Sequence, residues 1–145
     1  MRKTVQIFYL ALIFGLAQVS VLLAQDDAKE PTMSAEVQAW YVALTKVNHP
    51  NFKNLIAEDA KIELRDLGIT QTREEFLGSL DEWEDASKGA IILTYVISSK
   101  PGKDVVEVCY RFENNEQLIR EMFDYADGKI THVVQEQIGT KCEGF

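Results

Sequence analysis

The spacing of hydrophobic and polar positions changes along this chain from a helical period to a strand period, and back again. Val37, Trp40, Tyr41, Leu44 and Val47 recur at i, i+3, i+4 and i+7 spacing, which predicts a helix with one buried stripe. Ser34 is placed to cap it, and Asn48-His49-Pro50 stops it, because proline disfavours helix in the residue before it. A shorter helix over Asn51–Ala57 presents Phe52, Leu55 and Ile56. Ala60–Leu67 then alternates as a half-buried strand, with Ala60, Ile62, Leu64 and Asp66 on one face, and ends at Gly68. Thr72-Arg73-Glu74-Glu75 has the form of a capping box and opens a third helix carrying Phe76, Leu77, Leu80 and Trp83.

From here the pattern is all strand. Ala90–Ser99 is rich in β-branched residues, and Lys100-Pro101-Gly102 turns it into three successive strands, Asp104–Glu113, Gln117–Tyr125 and Lys129–Ile138. Their joints, Asn114-Asn115 and Asp127-Gly128, are residues that tolerate the positive φ of tight hairpins. Val106, Val108, Tyr110 and Phe112 form an apolar face opposite Glu107, Cys109, Arg111 and Glu113. The order ααβαββββ predicts one α+β domain, a curved sheet covered by three helices with a pocket inside.

The first 24 residues stand apart. Arg2 and Lys3 precede the apolar run Ile7–Ala17, and Val21-Leu22-Leu23-Ala24 leads into polar Gln25-Asp26-Asp27, the order of a secretory signal peptide. An uncleaved anchor is the alternative, since Ile7–Ala24 nearly spans a bilayer. The expected organisation is a signal peptide over 1–24, a flexible leader over 25–33, the folded domain over 34–138 and a tail over 139–145. The mature chain would be periplasmic or secreted, with no membrane association after cleavage.

Charge narrows the partners. The 145 residues carry a formal charge of −8, and loss of residues 1–24 removes two bases and no acid, taking it to −10. Such an acidic domain is a poor fit for nucleic acid or an anionic membrane. Cys109 and Cys142 would meet an oxidising compartment after export. They either form the one intramolecular disulfide available or remain a buried Cys109 and a free Cys142 in the tail.

Tyr41-Val42-Ala43-Leu44, Ile56-Ala57-Glu58-Asp59-Ala60 and Asp127-Gly128-Lys129-Ile130, in this order, resemble the NTF2-like superfamily, which includes the SnoaL-like proteins and the ketosteroid isomerases. The resemblance spans about residues 34–138. It implies a strongly bent mixed or antiparallel sheet wrapped around helices, a pocket at the open end of the cone, and a homodimer through the outer sheet face. The isomerases of this group use a carboxylate base with a tyrosine and a protonated aspartic acid as oxyanion donors. Tyr41 stands at the tyrosine position, but the base position falls on Leu64 and the neutral-acid position on Arg120, so steroid isomerisation is not expected.

The family register turns Leu118, Arg120 and Met122 inward, together with Val133, Gln135 and Gln137. An inward Arg120 needs an anion: an internal carboxylate such as Asp66 or Asp124, or a bound ligand with Tyr41 donating beside it. Trp40, Trp83 and Tyr110 supply either an aromatic wall or plain core. Asp66, two residues beyond Leu64, either serves as a base at the pocket rim or caps the turn at Gly68. His49 and His132 are far apart, and with the two cysteines they give no zinc spacing. Asp81-Glu82-Trp83-Glu84-Asp85 lacks the ligand positions and glycine of a calcium loop. No metal or cofactor is expected. Three functions remain: a carrier of a small, partly apolar ligand, anionic where Arg120 clamps it; a SnoaL or dehydratase-type enzyme with Asp66 as base; or a dimeric interaction module whose outer patch is Ile119, Phe123, Tyr125, Ile130 and Val134.

Overall fold

The computed structural model describes residues 30–145; the expected signal peptide and most of the leader lie outside the described residues. Helix α1 (Ala35–Lys46) begins where expected, the Ser34 side chain accepting the Val37 N–H. The Ser34 N–H is in turn bound by the buried Asp104 carboxylate at 2.8 Å, which ties the helix start to the sheet. Helix α2 (His49–Leu55) begins two residues before the expected start. Pro50 lies in its first turn, where a missing N–H costs nothing, and Asn48 provides the cap. Ile56 therefore opens strand β1 (Ile56–Leu64) rather than closing the helix.

After a short 3-10 turn over Arg65–Leu67, Gly68 takes the left-handed conformation at φ 64. The chain folds back there as β2 (Ile69–Thr72), antiparallel to β1. This four-residue strand is too short to show a period and was not expected. The predicted third helix is two helices, α3 (Arg73–Gly78) and α4 (Leu80–Ala86). They part at Gly78-Ser79, where glycine is a poor helix former and the Ser79 hydroxyl donates to the Phe76 carbonyl at 2.8 Å. The capping box itself forms as read, Thr72 and Glu75 each binding the other's backbone N–H.

The remaining strands are β3 (Ile91–Lys100), β4 (Lys103–Arg111), β5 (Glu116–Ala126) and β6 (Lys129–Gly139). All six form one mixed sheet of order β2-β1-β6-β5-β4-β3, in which only β1 and β6 run parallel. Asp127 and Gly128, at φ 51 and 74, make the tight β5–β6 turn. The β4–β5 connection is wider than a two-residue turn and is closed by the Phe112 N–H on the Asn115 carbonyl at 2.8 Å.

One irregularity decides which side chains face inward. An undistorted β5–β6 hairpin, with Ala126 opposite Lys129, would place Gln135 opposite Arg120. Instead Tyr125 pairs with Ile130 but Asp124 pairs with His132, so Thr131 is an extra residue on β6. This bulge shifts the register by one and puts Glu121 opposite Gln135 and Phe123 opposite Val133. Arg120 therefore lies on the outer face, paired with Glu107 at 2.8 Å, and the expected inward Arg120 is corrected to an inward Glu121. The expected outer patch does not form, because the register turns its β5 members and Ile130 inward, while Val134 stays on the outer face but is covered. Phe123 and Ile130 are in the core, Ile119 and Tyr125 pack against it, and Val134 is only 6% exposed. The exposed large apolar side chains of the sheet are instead Ile91, Tyr95 and Ile97 on β3 and Ile69 on β2.

The core lies between the inner sheet face and the helices. Trp40 is fully enclosed, stacked on Phe76 at 5.0 Å and edge-on to Phe52 at 5.1 Å and Phe123 at 5.6 Å. Aromatic side chains so enclosed are each worth about 3–5 kcal/mol against alanine. This cluster holds α1, α2 and α3 against the sheet. Outside, Cys109 on β4 is bonded to Cys142, which straps the C-terminal tail across the outer sheet face.

Candidate functional site

A cavity of about 460 Å³ opens between the inner sheet face and helices α1, α3 and α4. Trp40, Phe76, Leu80 and Trp83 wall it on the helix side. On the sheet side stand Ile62 and Leu64 of β1, Tyr110 of β4 and Ile119 of β5, with Phe112 just past the end of β4. The Trp83 indole is fixed by donating to the Leu44 carbonyl at 3.2 Å, and it meets Tyr110 and Phe112 edge-on at 5.6 and 6.2 Å. These side chains are braced against one another, so the walls are preformed rather than collapsed inward.

Glu121 is the exception in this apolar wall. It is fully buried yet lines the cavity. Its Oε2 accepts the Tyr41 hydroxyl at 2.7 Å, and its Oε1 accepts the Tyr110 hydroxyl at 2.8 Å and the Gln135 amide at 2.9 Å. Burial pushes the Glu121 carboxyl above its ordinary range, while these three donors pull the other way. Burial and then the Glu121 charge push both phenols well up, so Tyr41 and Tyr110 remain protonated donors. Trp40, which also lines the cavity, has a buried indole N–H without a partner.

Of the residues expected to meet a ligand, Trp40, Asp66, Trp83, Tyr110 and Gln137 line the cavity. Asp66 sits at its exposed edge and accepts the Gln137 backbone N–H rather than capping the turn at Gly68. Tyr41 stands behind the wall and acts on the cavity through Glu121. Val133 is core, and Arg120 is on the other face. The proposed anion clamp therefore has no counterpart: the charged residues of the lining are Asp66, Glu121 and Glu136. Leu64, which the family resemblance set at the base position, lines the cavity and has no proton to exchange. His132, on the outer face, contacts Glu63 at 2.9 Å. Among the described residues no group of three or more histidines, cysteines or acids could hold a metal ion, and no helix is long and apolar enough to cross a membrane.

Sequence reasoning missed Glu121. On β5 the two faces read Ile119, Glu121, Phe123 and Leu118, Arg120, Met122, each with one charge among apolar residues. The aromatic Phe123 is the stronger core former, and it was the available signal.

No family model matches the chain, and no curated protein sequence matches it. Solved structures do. A proposed ketosteroid isomerase from Kribbella flavida superposes with a TM-score of 0.61 at 17% identity, over 74% of this chain and 78% of that one. IdmH, a proposed polyketide cyclase from Streptomyces antibioticus, gives 0.60 at 16% identity, over 71% and 89%. An NTF2-like protein of unknown function from Burkholderia xenovorans gives 0.61 at 14% identity, over 75% and 85%. Proteins of such different description share one scaffold, so the scaffold does not assign a reaction. The curved mixed sheet, the helices inside it and these superpositions together give the chain the NTF2-like fold.

Proposed function

We propose that this protein is a ligand-binding pocket domain that takes a small, largely apolar molecule into the cone. The observation that carries this reading is the unfilled cavity of about 460 Å³, braced by aromatic side chains and carrying one buried, hydrogen-bonded carboxyl. A domain built only for interaction would gain stability by filling that space with its own side chains. The neutral apolar fluorophore N-phenylnaphthylamine tests the reading. Its emission should rise on mixing with the protein, and Leu64→Trp, which adds bulk to the cavity wall, should abolish the rise. An equal rise in the variant would remove the cavity as the site.

A second reading rests on Asp66, which lines the same cavity as the Tyr110–Glu121 pair. In it Asp66 accepts a proton from a substrate held against the apolar wall. It requires turnover that collapses in Asp66→Asn; an unchanged rate would exclude it.

We further place the mature protein outside the cytoplasm. The Arg2-Lys3, apolar-run and Ala24 order supports export, and the Cys109–Cys142 bond suits an oxidising compartment. Mass spectrometry of the protein recovered from its own cells tests this; a chain retaining residues 1–24 would contradict it.

A further inference from the structure

The ionisable residues of the cavity lining are all acids. Its charged lining residues are Asp66, Glu121 and Glu136, and among the described residues no lysine, arginine or histidine lines it. Glu136 is partly offset at the rim by Arg65, 3.7 Å away. The other two acids are bound only by neutral donors: Glu121 by two phenols and an amide, Asp66 by a backbone N–H. Hydrogen bonds from neutral groups orient a carboxylate but leave its charge uncancelled.

Glu121 keeps one lone-pair position that no protein donor fills. A carboxylate offers about four lone-pair positions. Oε1 has taken two donors and Oε2 only one, from Tyr41. The lining also contains Trp40, Phe76, Trp83, Tyr110 and Phe112, and aromatic rings attract cations at their faces. A carboxylate ligand entering this space would meet like charge without a compensating base, in a setting of low dielectric.

We infer that the cavity selects a protonated amine with an apolar body over neutral or anionic molecules of the same shape. The ammonium group hydrogen-bonds to Glu121 or Asp66, and the hydrocarbon lies against the aromatic wall. This deepens the ligand-binding reading above and rests on it.

The test is displacement of bound N-phenylnaphthylamine by phenylbutylamine, phenylbutanol and phenylbutyrate at neutral pH. These share one body and differ in the charge of the terminal group. The amine should displace the fluorophore at about tenfold lower concentration than the alcohol, and the carboxylate should be weakest. Glu121→Gln should bring the amine and the alcohol together while leaving the alcohol unchanged. Should that variant fail to fold, Asp66→Asn at the exposed edge provides the second measurement and should narrow the same gap. Equal displacement by all three, or a preference for the carboxylate, overturns the inference while leaving the pocket reading intact. No uptake of the fluorophore overturns both.

Discussion

The Tyr41 hydroxyl donates a 2.7 Å hydrogen bond to Oε2 of Glu121, across 80 residues of sequence. It joins the first helix to a central strand at the wall of the cavity, and it is one of three donors that make a buried carboxyl tolerable. Tyr41→Phe keeps the ring, which meets Phe123 edge-on at 6.1 Å, and removes only the donor. The expected cost is about 1.5–3 kcal/mol, the range for a hydrogen bond to a charged group. Because that bond lowers the Glu121 pKa, its loss should also raise that pKa further. Urea unfolding and a carbon-13 titration of the Glu121 carboxyl measure the two effects. A variant as stable as wild type, with an unmoved titration, would show that the bond contributes nothing.

Glu121 also makes stability depend on pH in an unusual direction. Its native pKa is raised above the ordinary 4.5 by burial, so the folded state holds the proton to higher pH than the unfolded chain. Its favourable contribution is complete below the ordinary value and is lost as pH climbs to the raised native value. Within that window each pH unit removes up to about 1.4 kcal/mol. The groups facing it do not share the transition: Tyr41 and Tyr110 stay protonated, and Gln135 does not titrate. Glu121→Gln should therefore gain on wild type progressively through the window. Two parallel curves of unfolding free energy against pH would refute this.

Most elements were legible because local chemistry and long-range packing agree on them. The Ser34 cap, the Thr72–Glu75 box and the Asp127-Gly128 turn are each decided by residues within one turn of chain. The site was less legible because it depends on Thr131. That residue carries no sequence mark of a bulge, yet as an extra residue it exchanges Arg120 for Glu121 opposite Gln135. A period of two makes strand assignment sensitive to a single inserted residue in a way that a helix is not. Tyr110 and Gln137 line the cavity because β4 has an unambiguous apolar face and β6 keeps its inward parity beyond the bulge.

The Cys109–Cys142 bond spans 33 positions and closes the tail over the outer face, away from the cavity. Constraining a loop of that length in the unfolded chain is worth about 3–4 kcal/mol in the loop-entropy model. The double variant Cys109→Ala/Cys142→Ala should lose stability of that order in urea. Uptake of N-phenylnaphthylamine at low urea should be unchanged. Loss of uptake in a chain that remains folded would mean that the strap shapes the cavity after all.

Arg120 offers the sharpest contrast between the sequence reading and the structure. As an inward cation it would be central to ligand binding, and its removal would orphan a buried partner. On the outer face it pairs with Glu107, its cross-strand neighbour, at 2.8 Å, and 41% of its side chain is exposed. Pairs at such positions contribute at most about 1 kcal/mol, and salt screens them. Arg120→Ala should therefore change stability only slightly, and less still at high salt. It should also leave displacement of N-phenylnaphthylamine by phenylbutylamine and phenylbutyrate as in wild type. A selective loss of phenylbutyrate binding in this variant would instead place Arg120 at the ligand and overturn the register set by Thr131.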